Sequence, residues 1–320
     1  MKITYNALLL PEQIIDVGHV LYSAGKNKDE IQKTLSTTGI NTIRAVKSKQ
    51  FSDFLFTGLE QIKISHCGLF DEVDAIIVVS QSYDCRIPSI STRIQKILNL
   101  HSDIFCLDIM DGCSGYIKAL AIARMLQSNG NKKILIIAGD LNSSMTKEAD
   151  LGTKILFGDG LSVSIIEPLE YDTLNLIKNS GDLEKVISCQ VNENVMKMNG
   201  FEVFRFTKNR VPELLNEFFN QTKTTPSDYD LIAMHQASKL VVSTITRALG
   251  VSNKLCNDFL CSNIGNLGAG SIGAWLSQVP NLSSSGALNM LVVGYGSGLS
   301  WGVTSIIVDT KMNEVINVQG

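Results

Sequence analysis

Three residues combine a reactive side chain with a turn that could present it: Cys113, His235 and Asn266. Cys113 stands in Asp108-Ile109-Met110-Asp111-Gly112-Cys113-Ser114-Gly115. The apolar run 104–109 predicts a buried strand, Gly112 a tight turn, and the spacing of Ile117, Leu120, Ala121 and Met125 a helix over 116–128. A thiol at a helix start faces unpaired N–H groups, which favour negative charge, so a lowered pKa and an available thiolate are expected. The alternative is a small buried apolar side chain, the usual state of a free cysteine. Of four histidines, His19, His66 and His101 read as structural or solvated, on a helix, a helix tail and a loop. His235 differs because the apolar strand 231–234 meets the polar turn Gln236-Ala237-Ser238 there, and strand ends are where α/β sheets bind ligands. A hydrogen-bonded structural histidine is the alternative. Asn266 lies in Ser262-Asn263-Ile264-Gly265-Asn266-Leu267-Gly268-Ala269-Gly270-Ser271, a glycine-rich turn that lets backbone approach a ligand. It has neither the ending of a P-loop nor the spacing of a dinucleotide fingerprint, and a tight packing turn is the alternative.

An internal repeat says how these residues are positioned. Asp71-Glu72-Val73-Asp74-Ala75-Ile76-Ile77-Val78 resembles Ser227-Asp228-Tyr229-Asp230-Leu231-Ile232-Ala233-Met234, an acidic lead-in followed by an apolar strand. Each copy continues into a polar turn and an amphipathic helix, over 89–98 and 242–249. A further strand, turn and helix then carry Cys113 in one copy and Asn266 in the other. Apolar strands ending in glycine, 134–139 and 288–294, follow in both. A repeat this long is a duplicated domain, since solenoid periods are shorter. Alternating strands and helices imply α/β layers. The expected halves are 1–168 and 169–320, joined near Glu167-Pro168, with Cys113 and Asn266 meeting in one site beside His235. Other segments fit: 53–67 as a helix, 161–166 and 303–308 as closing strands, 171–198 as a less regular insertion, and 206–219 as a helix broken or bent near Pro212.

Composition narrows the function classes. With 44% hydrophobic and 18% charged residues, a large core is expected and disorder is not. A net charge of -3 leaves no global footprint for nucleic acid. The N-terminus lacks a signal-peptide pattern, and no apolar run reaches the roughly 18 residues of a membrane span. The seven cysteines, at 67, 85, 106, 113, 189, 256 and 261, form no pairs at metal-ligand spacing. Their odd count and irregular spacing point to a reducing cytoplasm without a disulfide framework.

At this point the motifs carry a family resemblance. Gly112-Cys113-Ser114-Gly115, Gly152-Thr153-Lys154-Ile155-Leu156-Phe157-Gly158-Asp159-Gly160, His235-Gln236-Ala237, Gly265-Asn266 and Gly294-Tyr295-Gly296-Ser297-Gly298-Leu299-Ser300-Trp301-Gly302 stand in an order and spacing that resemble the β-ketoacyl-acyl-carrier-protein synthase III family of the thiolase-like superfamily. The match covers most of the chain. It implies an internally duplicated, five-layered αβαβα fold, a homodimer, and a triad of Cys113, His235 and Asn266. The implied reaction is a decarboxylative Claisen condensation. Cys113 takes an acyl group from a donor thioester, with backbone N–H groups of Cys113 and Ser297 as the oxyanion hole. His235 and Asn266 hold the carbonyl of a malonyl thioester on an acyl carrier protein, and neither a metal nor a redox cofactor is required. The resemblance also places Ile87 and Phe157 at the acyl pocket, Ile87 reaching it from the partner subunit. It places Arg205, Lys208, Arg210, Lys239 and Arg247 where an acidic carrier protein docks.

The chain departs from the family where housekeeping members hold the adenine of coenzyme A. Lys33 and Thr37 stand in the positions of a Trp and an Arg, and Leu151 in that of a second Arg before Gly152-Thr153. A donor presented on a carrier protein, or an unusual thioester, and a specialised acyl pathway are therefore expected. The rival readings are a non-catalytic partner subunit, opposed by the complete triad; a hydrolase, whose G-x-S-x-G elbow Asp111 breaks; and an acyltransferase to an oxygen or nitrogen acceptor, which shares the first half-reaction.

Overall fold

Aliphatic runs form strands and the amphipathic stretches between them helices in the computed structural model of the chain, which describes residues 1–48, 50–147, 149–169, 174–181, 185–190, 193–251, 259–279 and 286–319. The first half contains strands β1 (Lys2–Pro11), β2 (Ile14–Asp16), β3 (Thr42–Arg44), β4 (Ala75–Val79), β5 (Phe105–Ile109), β6 (Ile134–Leu141) and β7 (Asp159–Glu167). Its helices are α1 (Val17–Ser23), α2 (Lys28–Thr38), α3 (Phe51–Ser65), α4 (Ile90–Leu98), α5 (Gly115–Ser128) and α6 (Leu151–Lys154). The second half contains β8 (Asn175–Asn179), β9 (Ile187–Cys189), β10 (Met196–Met198), β11 (Leu231–Met234), β12 (Ala287–Gly296), β13 (Ser300–Asp309) and β14 (Asn313–Val318). Its helices are α7 (Gly200–Thr222), α8 (Lys239–Leu249), α9 (Phe259–Ile264) and α10 (Ser271–Leu276).

The duplication is visible in the pairing. In the first half β4 runs parallel to β6, β6 antiparallel to β7, and β7 antiparallel to β1. In the second, β11 runs parallel to β12, β12 antiparallel to β13, and β13 antiparallel to β8. Helix α5 packs against β4 and β6 on one side and β12 and β13 on the other, and α10 likewise touches β1, β7, β11 and β12. These two helices therefore form a middle layer, with Tyr116, Leu120, Trp275 and Leu276 fully buried between the strands of the two halves. Helices α3 and α4 cover the outer face of the first half through Phe54, Leu59 and Ile94. Helices α7 and α8 cover that of the second through Leu215, Phe218 and Ile245. The result is the five-layered αβαβα arrangement.

The middle layer is tied by a buried polar chain. The Tyr116 hydroxyl meets Ser164 Oγ at 2.9 Å, Ser164 Oγ donates to Asn6 Oδ1 at 2.9 Å, and Asn6 Nδ2 donates to the Gly273 carbonyl at 3.0 Å. Buried polar groups are tolerated when they are paired in this way.

Several expectations are corrected. Strand β5 is half-exposed rather than buried, because it pairs with β4 alone among the described residues. Helix α7 starts earlier and runs through Pro212, with buried Val211, Leu214 and Leu215 holding it on the sheet across the proline. The strand expected before Asn266 falls partly on 252–258, including Cys256, outside the described residues; the segment directly before the turn is helix α9. The irregular insertion carries β8, β9 and β10, while 171–173, 182–184 and 191–192 lie outside the described residues. Among the described residues no helix is long and apolar enough to cross a membrane.

A Cβ on Gly273 would overlap the Ser162 side chain and lie 3.3 Å from Asn6 Oδ1. Gly273→Ala should therefore cost about 1–3 kcal/mol by overpacking the middle layer. Chemical denaturation checks this, and an unchanged midpoint would contradict the packing described.

Candidate active site

The nucleophile turn leaves β5 and enters α5 one residue after the N-cap Ser114, so Cys113 precedes the helix. Small residues let the turn sit against β12: a Cβ on Gly296 would lie 2.5 Å from Cys113 Cβ. Cys113 is half-buried and lines the cavity described below. Burial first, then the charges of Asp140 and Asp111, push the thiol up to about 12. The expected lowering is therefore overturned. Desolvation and two carboxylates outweigh the helix start, although Lys118 pairs with Asp111 and moderates one of them. The groups that act the other way are the backbone N–H of Cys113 itself and that of Ser297, both directed at the sulfur. That pair is the one named above for the oxyanion hole.

Asn266 is fixed by backbone from the other half. Its N–H donates to the Leu156 carbonyl at 2.8 Å, and its carbonyl accepts from Gly158 N at 3.0 Å, a parallel bridge between Phe157 and Asn266. The approach needs glycine on both sides: Gly265 adopts φ +81°, and a Cβ there would lie 2.9 Å from Gly158 N. The side-chain Oδ1 accepts from Gly268 N at 3.0 Å and Ser271 Oγ at 3.3 Å. The Nδ2 end is left to donate into the cavity.

His235 caps β11 and extends its pairing, donating its N–H to the Val293 carbonyl at 2.8 Å. Its carbonyl accepts from the Tyr295 hydroxyl at 2.7 Å, and the two rings meet edge-to-face at 5.3 Å. Burial pushes the imidazole down to about 3, so it is neutral at physiological pH. Its Nδ1 has no hydrogen-bond partner among the described residues.

Cys113, His235 and Asn266 line one cavity of about 160 Å³. Apolar walls come from Leu156, Phe157, Ile187, Met198, Val203 and Tyr295, and the rim includes Thr37, Thr38 and Leu240. Phe157 lines this cavity. Ile87 is 87% exposed on the loop after β4 and lies outside this cavity. Arg205, Lys208 and Arg210 line a separate cleft on α7, where Arg205 pairs with Glu202 at 2.6 Å and Arg210 with Glu213 at 3.1 Å. Lys239 opens α8 between the cavity-lining Ser238 and Leu240, whereas Arg247 lies in its last turn, about 12 Å further along the axis. Sequence reasoning missed Ile187 and Met198, whose insertion has no regular pattern, and Val203, which lies on α7 ahead of the expected helix start. It also missed Tyr295, whose signal was its place between Gly294 and Gly296.

Residues 107–180 match the family described as 3-oxoacyl-[acyl-carrier-protein (ACP)] synthase III, and residues 219–307 its C-terminal counterpart. The β-ketoacyl-[acyl-carrier-protein] synthase III of Streptococcus agalactiae is 27% identical over 324 residues, covering 96% of this chain and 98% of that one. Among solved structures, a 3-oxoacyl-(acyl-carrier protein) synthase from Burkholderia xenovorans superposes with a TM-score of 0.90 at 23% identity, covering 99% and 97% of the two chains. The priming β-ketosynthase of a polyketide pathway superposes at 0.86 with 19% identity, covering 96% of each.

With a pKa near 12, the thiolate share of Cys113 at pH 8 is about one part in ten thousand and rises tenfold per pH unit. Iodoacetamide should therefore label the exposed Cys67 before Cys113, and Cys113 labelling should keep rising above pH 9. Peptide mass mapping reads both. Rapid labelling of Cys113 at pH 7 with a plateau by pH 9 would contradict the electrostatics of the empty site.

Proposed function

The chain belongs to the 3-oxoacyl-[acyl-carrier-protein] synthase III family, and on that premise we propose that it condenses an acyl group, held on Cys113, with a malonyl thioester on an acyl carrier protein. The observation that carries this reading is the convergence of Cys113, His235 and Asn266 on one apolar cavity from opposite halves of the chain.

In the first half-reaction Cys113 sulfur attacks the donor carbonyl, whose oxygen takes up the negative charge against the N–H groups of Cys113 and Ser297. Such preorganised donors typically contribute about 3–4 kcal/mol each. The C–S bond to the donor breaks, and the proton lost by the thiol ends on the departing thiol. In the second half-reaction the malonyl thioester carbonyl accepts from His235 and Asn266 Nδ2. A neutral imidazole suits this task, because it donates an N–H without adding a charge that must be desolvated. Carbon dioxide leaves, the enolate carbon attacks the acyl-Cys113 carbonyl, and the β-ketoacyl thioester departs. The released Cys113 thiolate takes a proton and returns to the thiol that its surroundings favour. Neither a metal nor a redox cofactor enters these steps.

The mouth of the cavity bears on the donor. Thr37 and Thr38 turn their hydroxyls back to the α2 carbonyls of Lys33 and Thr34, at 2.7 and 2.9 Å. Leu151 packs against the small core of Val17, Leu21 and Ile40. Among the described residues neither a guanidinium nor an indole lines the cavity, where stacking typically contributes about 1–3 kcal/mol per base. This supports a carrier-borne donor and a specialised acyl pathway. Carrier docking is assigned to the basic residues of α7 and α8: Arg205, Lys208, Arg210, Lys239 and Arg247. A second copy would cover the half-exposed edge strand β5, with Phe105 43% and Met110 75% exposed, and bring Ile87 to its partner's acyl pocket. Residues 1–168 and 169–320 are the two halves of the duplication, and the enzyme is assigned to the cytoplasm.

Intact-mass analysis after mixing the protein with malonyl-carrier protein and one acyl group, offered on carrier protein or on coenzyme A, tests the reading. The expected product is a β-ketoacyl-carrier protein, formed faster from the carrier-borne donor. Acyl transfer to an oxygen or nitrogen acceptor without loss of carbon dioxide would overturn it, and a clear preference for coenzyme A would overturn the donor assignment.

A further inference from the structure

Two exposed apolar side chains stand at the mouth of the cavity, and none of the steps above uses them. Phe201, in the first turn of α7, is 72% exposed, and its neighbours Gly200 and Val203 both line the cavity. Leu240, in the first turn of α8, is 43% exposed and sits on the rim itself. Every other large apolar side chain of α2, α7 and α8 is buried or half-buried. Helices α7 and α8 pack against each other, and both begin at the cavity. Residues three or four apart share a helix face. Phe201 therefore shares one with Arg205 and Lys208, and Leu240 shares one with Thr244 and Arg247. Each stripe starts apolar at the mouth and ends on a cation seven residues on, about 10 Å along the axis. The cations differ in what they offer a partner. Arg205 is paired with Glu202 and Arg210 with Glu213, and exposed pairs of this kind contribute little. Lys208 and Arg247 form no ion pair among the described residues.

Building on the condensing-enzyme reading above, we infer that Phe201 and Leu240 are the anchor on which the carrier protein seats. An apolar helix face beside its acyl arm covers the two side chains, and acidic side chains farther out meet Lys208 and Arg247. A cavity of about 160 Å³ admits the arm and excludes the protein that bears it. The body of the carrier must therefore rest on what surrounds the mouth. On α7 and α8 that surface is apolar first and basic about 10 Å farther out. Exposed apolar side chains beside a site mark an interaction surface, and such surfaces take aromatic anchors at the centre with charges at the rim. Affinity then comes from burying Phe201 and Leu240, while Lys208 and Arg247 steer the approach. Docking by the basic residues alone would be lost as salt screens them, whereas an apolar anchor holds.

The test measures binding of fluorescently labelled malonyl-carrier protein by anisotropy. This requires no turnover, so its outcome is separate from that of the condensation assay. Phe201→Ser and Leu240→Ser should each raise Kd about tenfold, while Phe201→Leu, which keeps an apolar side chain, stays near the parent. The pair Lys208→Glu, Arg247→Glu should weaken binding at low salt. That gap should close at about 1 M salt, where charges are screened within about 3 Å, and the parent should still bind there. Malonyl-coenzyme A, bound in parallel, and light scattering separate the other occupants of the patch. Absence of binding by the parent, an unchanged Kd in both serine variants, or loss of the parent's binding at 1 M salt would overturn the inference. So would a Phe201→Ser variant that loses affinity for malonyl-coenzyme A alone, which would make the ring a stacking face for the nucleotide. Serine variants that lose the carrier because a dimer has come apart would assign the patch to a second copy of the chain instead.

Discussion

Each of the two site turns packs closely against the opposite half of the chain, and the site depends on both contacts. On one side β12 passes so close to the nucleophile turn that only glycine fits at Gly296 beside Cys113. On the other, Leu156 and Gly158 pair with the backbone of Asn266, and Gly265 is the residue that lets them approach. Neither half can build the cavity alone. The middle layer of α5 and α10 holds the halves at this spacing, with the chain from Tyr116 through Ser164 and Asn6 to Gly273 satisfying the polar groups inside it. Side chains could not have provided the same precision, because a backbone bridge fixes position and orientation together.

The electrostatics follow from that closeness. Dense packing removes water from the cysteine, and desolvation raises its thiol more than a helix start lowers it. The same packing strips His235 of charge, leaving a neutral donor beside an amide whose acceptor end is already occupied. Cysteine, histidine and asparagine are therefore all uncharged in the empty site. Charge appears only during reaction, first on a carbonyl oxygen and then on an enolate, and the protein's contribution is a set of N–H donors placed beforehand.

Much of this was legible in the sequence. The apolar strands and their acidic lead-ins reported the duplication, and glycine or polar turns marked Cys113, His235 and Asn266. What the sequence hid has physical reasons. The sign of the Cys113 shift is set by Gly296 and Asp140, which are distant in the chain and become neighbours only when the sheets pack. Asp140 itself looks like an ordinary strand-end carboxylate, since its bonds run to a loop after another strand. The exposure of β5 depends on its place at the edge of the sheet, which an apolar run does not report. The apolar walls from Ile187 and Met198 come from an insertion without periodicity.

The central claim is that the two halves divide the chemistry, Cys113 carrying the acyl group and His235 with Asn266 driving the loss of carbon dioxide. The most direct measurement maps the acyl adduct by peptide mass in the parent protein and in a combined His235→Ala, Asn266→Ala variant, with release of carbon dioxide from malonyl-carrier protein followed in parallel. The account expects the adduct on Cys113 in both proteins and release in the parent alone. An adduct on Cys85 or Cys106 with Cys113 free, or undiminished release from the variant, would contradict it.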